Sequence, residues 1–454
     1  MLHKENTMLR QLFTALSLGA LLAAPAYAAD DVFKQALKAT YSENPRIKAE
    51  RQRQESSDEE VAQAVSGFRP TAIANYNRGR QRTDFGGAGW VYGKAEDKSL
   101  TVEQPLFRGF GTISGYRAAK QRVRAGQAQL MAVEQAVLQQ AITAYMDVVA
   151  NQSLLELSRN NKEVLEKQLQ ASKERFDVGE VTRTDVAQSE ARLSQARTDV
   201  ISAEGRLISA IAAFERVVGY KPEGSLSVPE QVPELPASLK EALTAARDAN
   251  PQLLAAIRTY KAADHDVWTN TSTLLPRVSL VGSMSEQKGA GVGGNSTFDQ
   301  DKLTVNVQIP LYQSGAEWSR VREAKAIARQ SKHTAMDTEL SVEESVTRAW
   351  EALETSIATI AEREDQIKAA EIALDGVKQE QEYGARTVLD VLDAEQELFT
   401  ARTNLVRAQR DKTVATYNLL VTMGALSPEA LELDVASYDP NENYDAIKWQ
   451  PIGF

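Results

Sequence analysis

The chain has 454 residues, 43% of them hydrophobic and 25% charged, with a formal net charge of −10. Its length exceeds one ordinary domain, and its acidic balance excludes a nucleic-acid partner. It has no cysteine, which excludes a disulfide framework, thiolate metal sites and a lipid-modified N-terminal Cys.

Lys4 and Arg10 precede an apolar run from Leu12 to Ala24, and Ala26-Tyr27-Ala28 follows as a small-x-small cleavage site. Residues 1–28 therefore read as a signal peptide, too short before Pro25 to span a bilayer. No later stretch reaches the ~18 apolar residues a membrane helix needs. A short helix is expected at Pro45–Val65. Two strands follow, in which Ala72, Ala74 and Tyr76 alternate with Ile73, Asn75 and Asn77, and Leu100 and Val102 with Thr101 and Glu103. A very long helix, a turn at Gly179 and a helix at Arg183–Val218 complete this half. The Pro-rich stretch Lys221–Pro236 reads as a linker.

The same order then returns. Phe33-Lys34-Gln35-Ala36-Leu37 with Asn44-Pro45 recurs as Leu239-Lys240-Glu241-Ala242-Leu243 with Asn250-Pro251, and Pro70 recurs as Pro276. Pro105-Leu106-Phe107 returns as Pro310-Leu311-Tyr312, Gly179 as Gly384 and Gly219 as Gly424. One nearly constant offset over most of the chain marks an internal duplication. Strands are expected from Val278, Leu280 and Met284, and from Leu303, Val305, Val307 and Ile309. A long helix is expected from Ala316 to Glu382. Each strand reads as about ten residues with one apolar face, suited to a membrane barrel, although a soluble sheet packed on helices fits the same pattern. The Gly-rich, polar stretches Arg78–Asp97 and Ser285–Asp301 read as exposed loops.

In the long helix Val346, Leu353, Ile360, Ile367 and Leu374 fall seven apart, as do Val186, Leu193, Val200, Leu207 and Phe214 in the first half. That period predicts coiled-coil packing, with an ordinary amphipathic bundle as the alternative. About 65 helical residues span roughly 100 Å, far beyond one globular core. Four strands cannot close a barrel, and lipid does not tolerate an open edge, so membrane strands would have to be shared among chains.

Taken together, the chain resembles the TolC family of outer membrane channels. The resemblance rests on the duplicated half with its Asn-Pro, the strand exits QPLFRGFG and IPLYQSG, the turns FDVGEVTRTDV and YGARTVLDVLDAEQ, and the heptad helices. It covers Asp31 to about Leu426, which leaves 29–230 and 231–426 as the two repeats and 427–454 as a C-terminal tail. It implies a mainly α homotrimer, in which twelve strands form an outer-membrane β-barrel and long coiled-coil helices form a tapering periplasmic α-barrel. It further implies a passive exit duct for type I protein secretion or multidrug efflux. Such a duct has no cofactor and works with a periplasmic adaptor and an inner-membrane transporter, either ABC or proton-driven.

By the same resemblance, Asp390 and Asp393 match paired aspartates that face the pore, so a trimer would carry six carboxylates in a cation-preferring ring. Arg386 matches a linking arginine, with Thr184 and Asp185 as its acceptors. The family's linking tyrosine falls on Gln381, with Tyr383 two residues on. Gly179 and Gly384 mark the turns where adaptor tips are expected. A local reading also accounts for part of this. Thr182 with Asp185, and Thr387 with Asp390, fit capping boxes, while Asp393 sits a turn further in. The alternative function is a structural or adhesive coiled coil without a pore. Nothing points to an enzyme. GFGTISG has the wrong spacing for a dinucleotide loop, and His265 and His333 have no ligand spacing.

Overall fold

A computed structural model describes residues 24–84, 90–229, 233–289 and 297–450. Most of the signal peptide, residues 1–23, lies outside the described residues, as do 85–89 and 290–296 between strands. The elements run α1 (Ala24–Glu43), α2 (Pro45–Ser66), β1 (Thr71–Asp84), β2 (Trp90–Arg108), α3 (Gly111–Asp177), α4 (Arg183–Val218), α5 (Leu239–Ala249), α6 (Pro251–Thr271), β3 (Arg277–Lys288), β4 (Thr297–Gln308), α7 (Ala316–Glu382), α8 (Val388–Met423) and α9 (Pro440–Ile447). The duplication is plain, because α3 and α7 each have 67 residues and α4 and α8 each have 36.

Two expectations are corrected. Each half begins with two short helices rather than one, divided at Asn44-Pro45 and at Asn250-Pro251. The strands are also longer than the apolar alternation. β1 and β2 have 14 and 19 residues and remain paired from Thr71↔Glu103 to Asp84↔Trp90, through most of the stretch read as a loop. β3 and β4 likewise pair out to Lys288↔Thr297. Backbone pairing in a hairpin needs no apolar face, so polar residues prolong the ladder.

The chain divides into two compact units, each drawn from both repeats. One comprises Met1–Ala49, Met131–Asn250 and Ser341–Ser437. Its core gathers Phe33, Leu37, Ile47, Leu138, Tyr145, Phe214, Tyr417 and Leu426. Phe33 packs edge-on to Tyr145 with ring centroids 5.0 Å apart. The repeated Asn-Pro has a physical reason. A helix leaves its last carbonyls without internal donors. Asn44 Nδ2 donates to the carbonyl of Val217 at the end of α4 (2.8 Å), and Asn250 Nδ2 donates to that of Thr422 at the end of α8 (2.9 Å). The prolines that follow, Pro45 and Pro251, are the first helical residues, where a missing N–H costs nothing. Gly424 ends α8 at φ 77°, and a Cβ there would lie 2.4 Å from the Ala249 carbonyl oxygen. Along α4 the small residues Ser189, Ala196 and Ala203 are fully buried, as close helix approach requires.

The other unit comprises Glu50–Leu130, Pro251–Leu340 and Tyr438–Phe454. It holds one antiparallel sheet in the order β1-β2-β3-β4, so β1 and β4 are open edges. A small core of Val61, Val65, Ala119 and Val123 receives Tyr444 of α9. The C-terminal tail is tied down here. Asn443 Nδ2 donates to Asp58 Oδ2 (3.0 Å), and the Arg69 guanidinium donates to the Trp449 carbonyl (2.8 Å).

Candidate functional site

The two helix-to-helix turns that carry the candidate residues lie in the first unit and share one geometry. After α3, Gly179 takes φ 82°, its N–H donates to Phe176, and the next N–H reaches back to Arg175 (2.8 Å). After α7, Gly384 takes φ 75°, its N–H donates to Gln381, and the Ala385 N–H reaches back to Glu380 (2.8 Å). This is the left-handed glycine stop of a long helix, and it is the reason for glycine at both positions.

Each turn then starts the next helix through a complete capping box. Thr182 N–H donates to Asp185 Oδ2 (2.8 Å) and Asp185 N–H donates to Thr182 Oγ1 (3.3 Å). Thr387 and Asp390 repeat this at 2.9 and 3.3 Å. The Thr387 backbone N–H, then its hydroxyl, and the nearby Arg386 hold the Asp390 carboxyl below the usual carboxylate range. The capping reading therefore describes Asp390 and Asp185 within one chain.

Asp393 does not cap. It accepts from Arg192 Nη2 at 2.5 Å, an ion pair that joins α8 to α4. Arg386 donates through Nε to Glu380 (2.8 Å), a partner on the end of α7 rather than Thr184 or Asp185. Thr184 is exposed on the first turn of α4, and Tyr383 is 89% exposed at the turn.

Three residues escaped the sequence reading. Arg192 is one. The others are Lys378 and Glu395, paired at 3.1 Å, with Glu395 buried and its Oε2 without a hydrogen-bond partner. The duplication carried the signal for this pair, because Lys173 and Glu190, one repeat earlier, pair at 3.2 Å. Beneath them Leu165, Leu193, Ala196, Val388 and Leu392 form the local core that fixes the turns. Among the described residues no cluster of His, Asp or Glu could hold a metal.

The model of the family described as Outer membrane efflux protein matches residues 36–220 and 242–425. The chain belongs to this family. It is 34% identical to the outer membrane efflux protein BepC of Brucella suis biovar 1, over 91% of this chain and 90% of that protein. It is 26% identical to the alkaline protease secretion protein AprF of Pseudomonas aeruginosa, over 88% of this chain and 85% of that protein. Its fold matches the crystal structure of CusC with a TM-score of 0.79 at 16% identity, covering 89% of this chain and 95% of that one. As an outer membrane efflux protein it is an outer-membrane channel for efflux or type I secretion, with a long periplasmic helical extension. Among the described residues no helix is long and apolar enough to cross a membrane.

Proposed function

We propose that three copies of this outer membrane efflux protein assemble into one passive exit duct. Each chain contributes its four strands to a shared twelve-stranded barrel, and the long helices line the periplasmic passage. The observation that carries this reading is the open sheet. Among the described residues β1 and β4 each have one unpaired edge, and Leu303, Val305 and Val307 on one face are 76%, 59% and 55% exposed. An apolar face suits lipid, but an unpaired edge does not, and closure by further copies removes it. Ile201 and Ile208, seven residues apart on α4 and 69% and 68% exposed, are further apolar surface for a neighbouring copy to cover.

In this reading the two glycine turns form the periplasmic mouth. Asp390 and Asp393 supply a ring of six carboxylates that prefers cations. Arg386, Thr184, Asp185 and Tyr383 hold the mouth closed, and the turns at Gly179 and Gly384 receive the tips of a periplasmic adaptor. An inner-membrane transporter loads the duct. The family resemblance and the two equivalent turns support this arrangement. Native mass in mild detergent and single-channel conductance in planar bilayers test it. A trimer that conducts is expected. A stable monomer, or a trimer with no conductance, would leave the non-pore coiled coil as the better account.

A further inference from the structure

Charge is distributed unevenly along the rim of the sheet. Directly paired residues of a ladder share a face. The face that carries Ala74, Leu100 and Met284 is the apolar one. Followed toward the hairpin tips on that same face, β1 continues as Arg78, Arg80 and Arg82 and ends in Asp84, which leaves it net basic, and β4 ends in Asp301 and Asp299. All six side chains are exposed. The central strands neutralise themselves, since Lys98 pairs with Glu96 (3.3 Å) and Glu286 (3.7 Å), and Lys288 also pairs with Glu286. Among the described residues Arg78, Arg80 and Asp301 make no ion pair, and Arg82 stacks on Trp90 at 3.8 Å. One open edge is left basic and the other acidic.

We infer that this rim is a charge-keyed seam, in which the basic β1 edge of one copy accepts the acidic β4 edge of the next. The inference rests on the shared-barrel reading and adds what directs the copies to each other. An open edge pairs with any other edge, including its own twin about a two-fold axis. A twin pairing of β1 centred on Arg80, where the tips overlap, would set Arg78 against Arg82 on one face, and a twin pairing of β4 centred on Gln300 would set Asp299 against Asp301. Like charges opposite each other destabilise a ladder, whereas β1 against β4 joins opposite signs. Only that head-to-tail pairing can repeat around a closed ring. A lipid headgroup phosphate could also lie against the arginines, but it would leave the acidic edge unanswered.

The test uses the full-length protein, extracted from outer membranes in mild detergent, with the trimer fraction followed by native mass spectrometry against temperature and salt. Arg78→Glu/Arg80→Glu alone, and Asp299→Lys/Asp301→Lys alone, should each lose trimer at temperatures where the wild type keeps it. The two pairs combined should regain it. The milder Arg78→Gln/Arg80→Gln variant should fold, and its trimer should lose the salt dependence of the wild type. Single-edge variants as stable as the wild type would overturn the seam, as would a combined variant no better than either alone. A loss confined to the β1 variants, with wild-type trimer stabilised in vesicles containing lipid A but not in phosphatidylcholine, would also overturn it and assign the arginines to headgroups. A wild type that is not trimeric would refute the shared barrel itself.

Discussion

Asp390 and Asp393 differ in what holds them, and this makes the two roles separable. The carboxyl of Asp390 is bound to its own cap, so its contribution is full above the ordinary carboxylate range and is lost as pH falls through its depressed value. Asn can accept the same bonds without the charge. Asp390→Asn/Asp393→Asn should therefore leave the helix start intact while cation selectivity and block by trivalent cations fall. Wild-type selectivity in bilayer recordings would make both aspartates purely structural. Arg386→Ser should raise single-channel conductance, because it removes a cation now paired with Glu380 and proposed to link the mouth. Asp58 follows the opposite sign. It is buried beside Gln54 and Asn443, and desolvation outweighs those hydrogen bonds and raises its carboxyl above the usual value. The folded state then holds the proton more tightly than the unfolded state, so stability falls as pH rises from the ordinary carboxylate range through the raised value. Asp58→Asn should flatten that part of the pH profile of thermal unfolding.

The helices were largely legible in the sequence, because their ends are written in local chemistry. Arg183–Val218 is bounded by a Thr-x-x-Asp start and a Gly stop, Ala316–Glu382 ends at the Gly384 turn, and the structure gives those same limits. The strands were legible only where apolar and polar residues alternate. Their polar extensions Arg78–Asp84 and Ser285–Lys288 are held by backbone pairing, which leaves no mark in side-chain pattern. At the candidate site both capping boxes could be read from four consecutive residues. Arg192 with Asp393 lie 201 residues apart, and no local rule joins them. Asn44 and Asn250 were visible as repeat markers, but their task, donating to the end of a distant helix, appears only in three dimensions. Asn250→Leu should therefore cost roughly 1–3 kcal/mol, the penalty for stripping a buried carbonyl of its donor. Denaturant unfolding in detergent measures it, and a change below ~0.5 kcal/mol would show that water replaces the amide.

Across the whole molecule, the duplication supplies two versions of the helix-to-helix turn that bury the same charges to different depths. Lys173–Glu190 is an exposed pair, while its equivalent Lys378–Glu395 buries the carboxylate. One gene segment, copied once, thus gives two turns of one geometry that shield their ion pairs from water to different degrees. The core that joins Phe33 and Leu37 to Leu426, Leu431 and Leu433 has a consequence in time. The segment made first meets some of its partners early, but its packing against Tyr417, Leu426, Leu431 and Leu433 waits until the segment made last has arrived. At ~5–20 residues per second, synthesis alone separates them by roughly 20–80 s. During that interval the core around Phe33 and Leu37 is incompletely covered and open to proteases and to holding factors. A chain ending at residue 425 should accordingly be degraded in the cell envelope, and pulse-chase labelling against the full-length protein would detect it. Equal half-lives would mean the core closes without those leucines. The fold in effect proofreads its own completion, since a prematurely ended chain cannot hide its beginning.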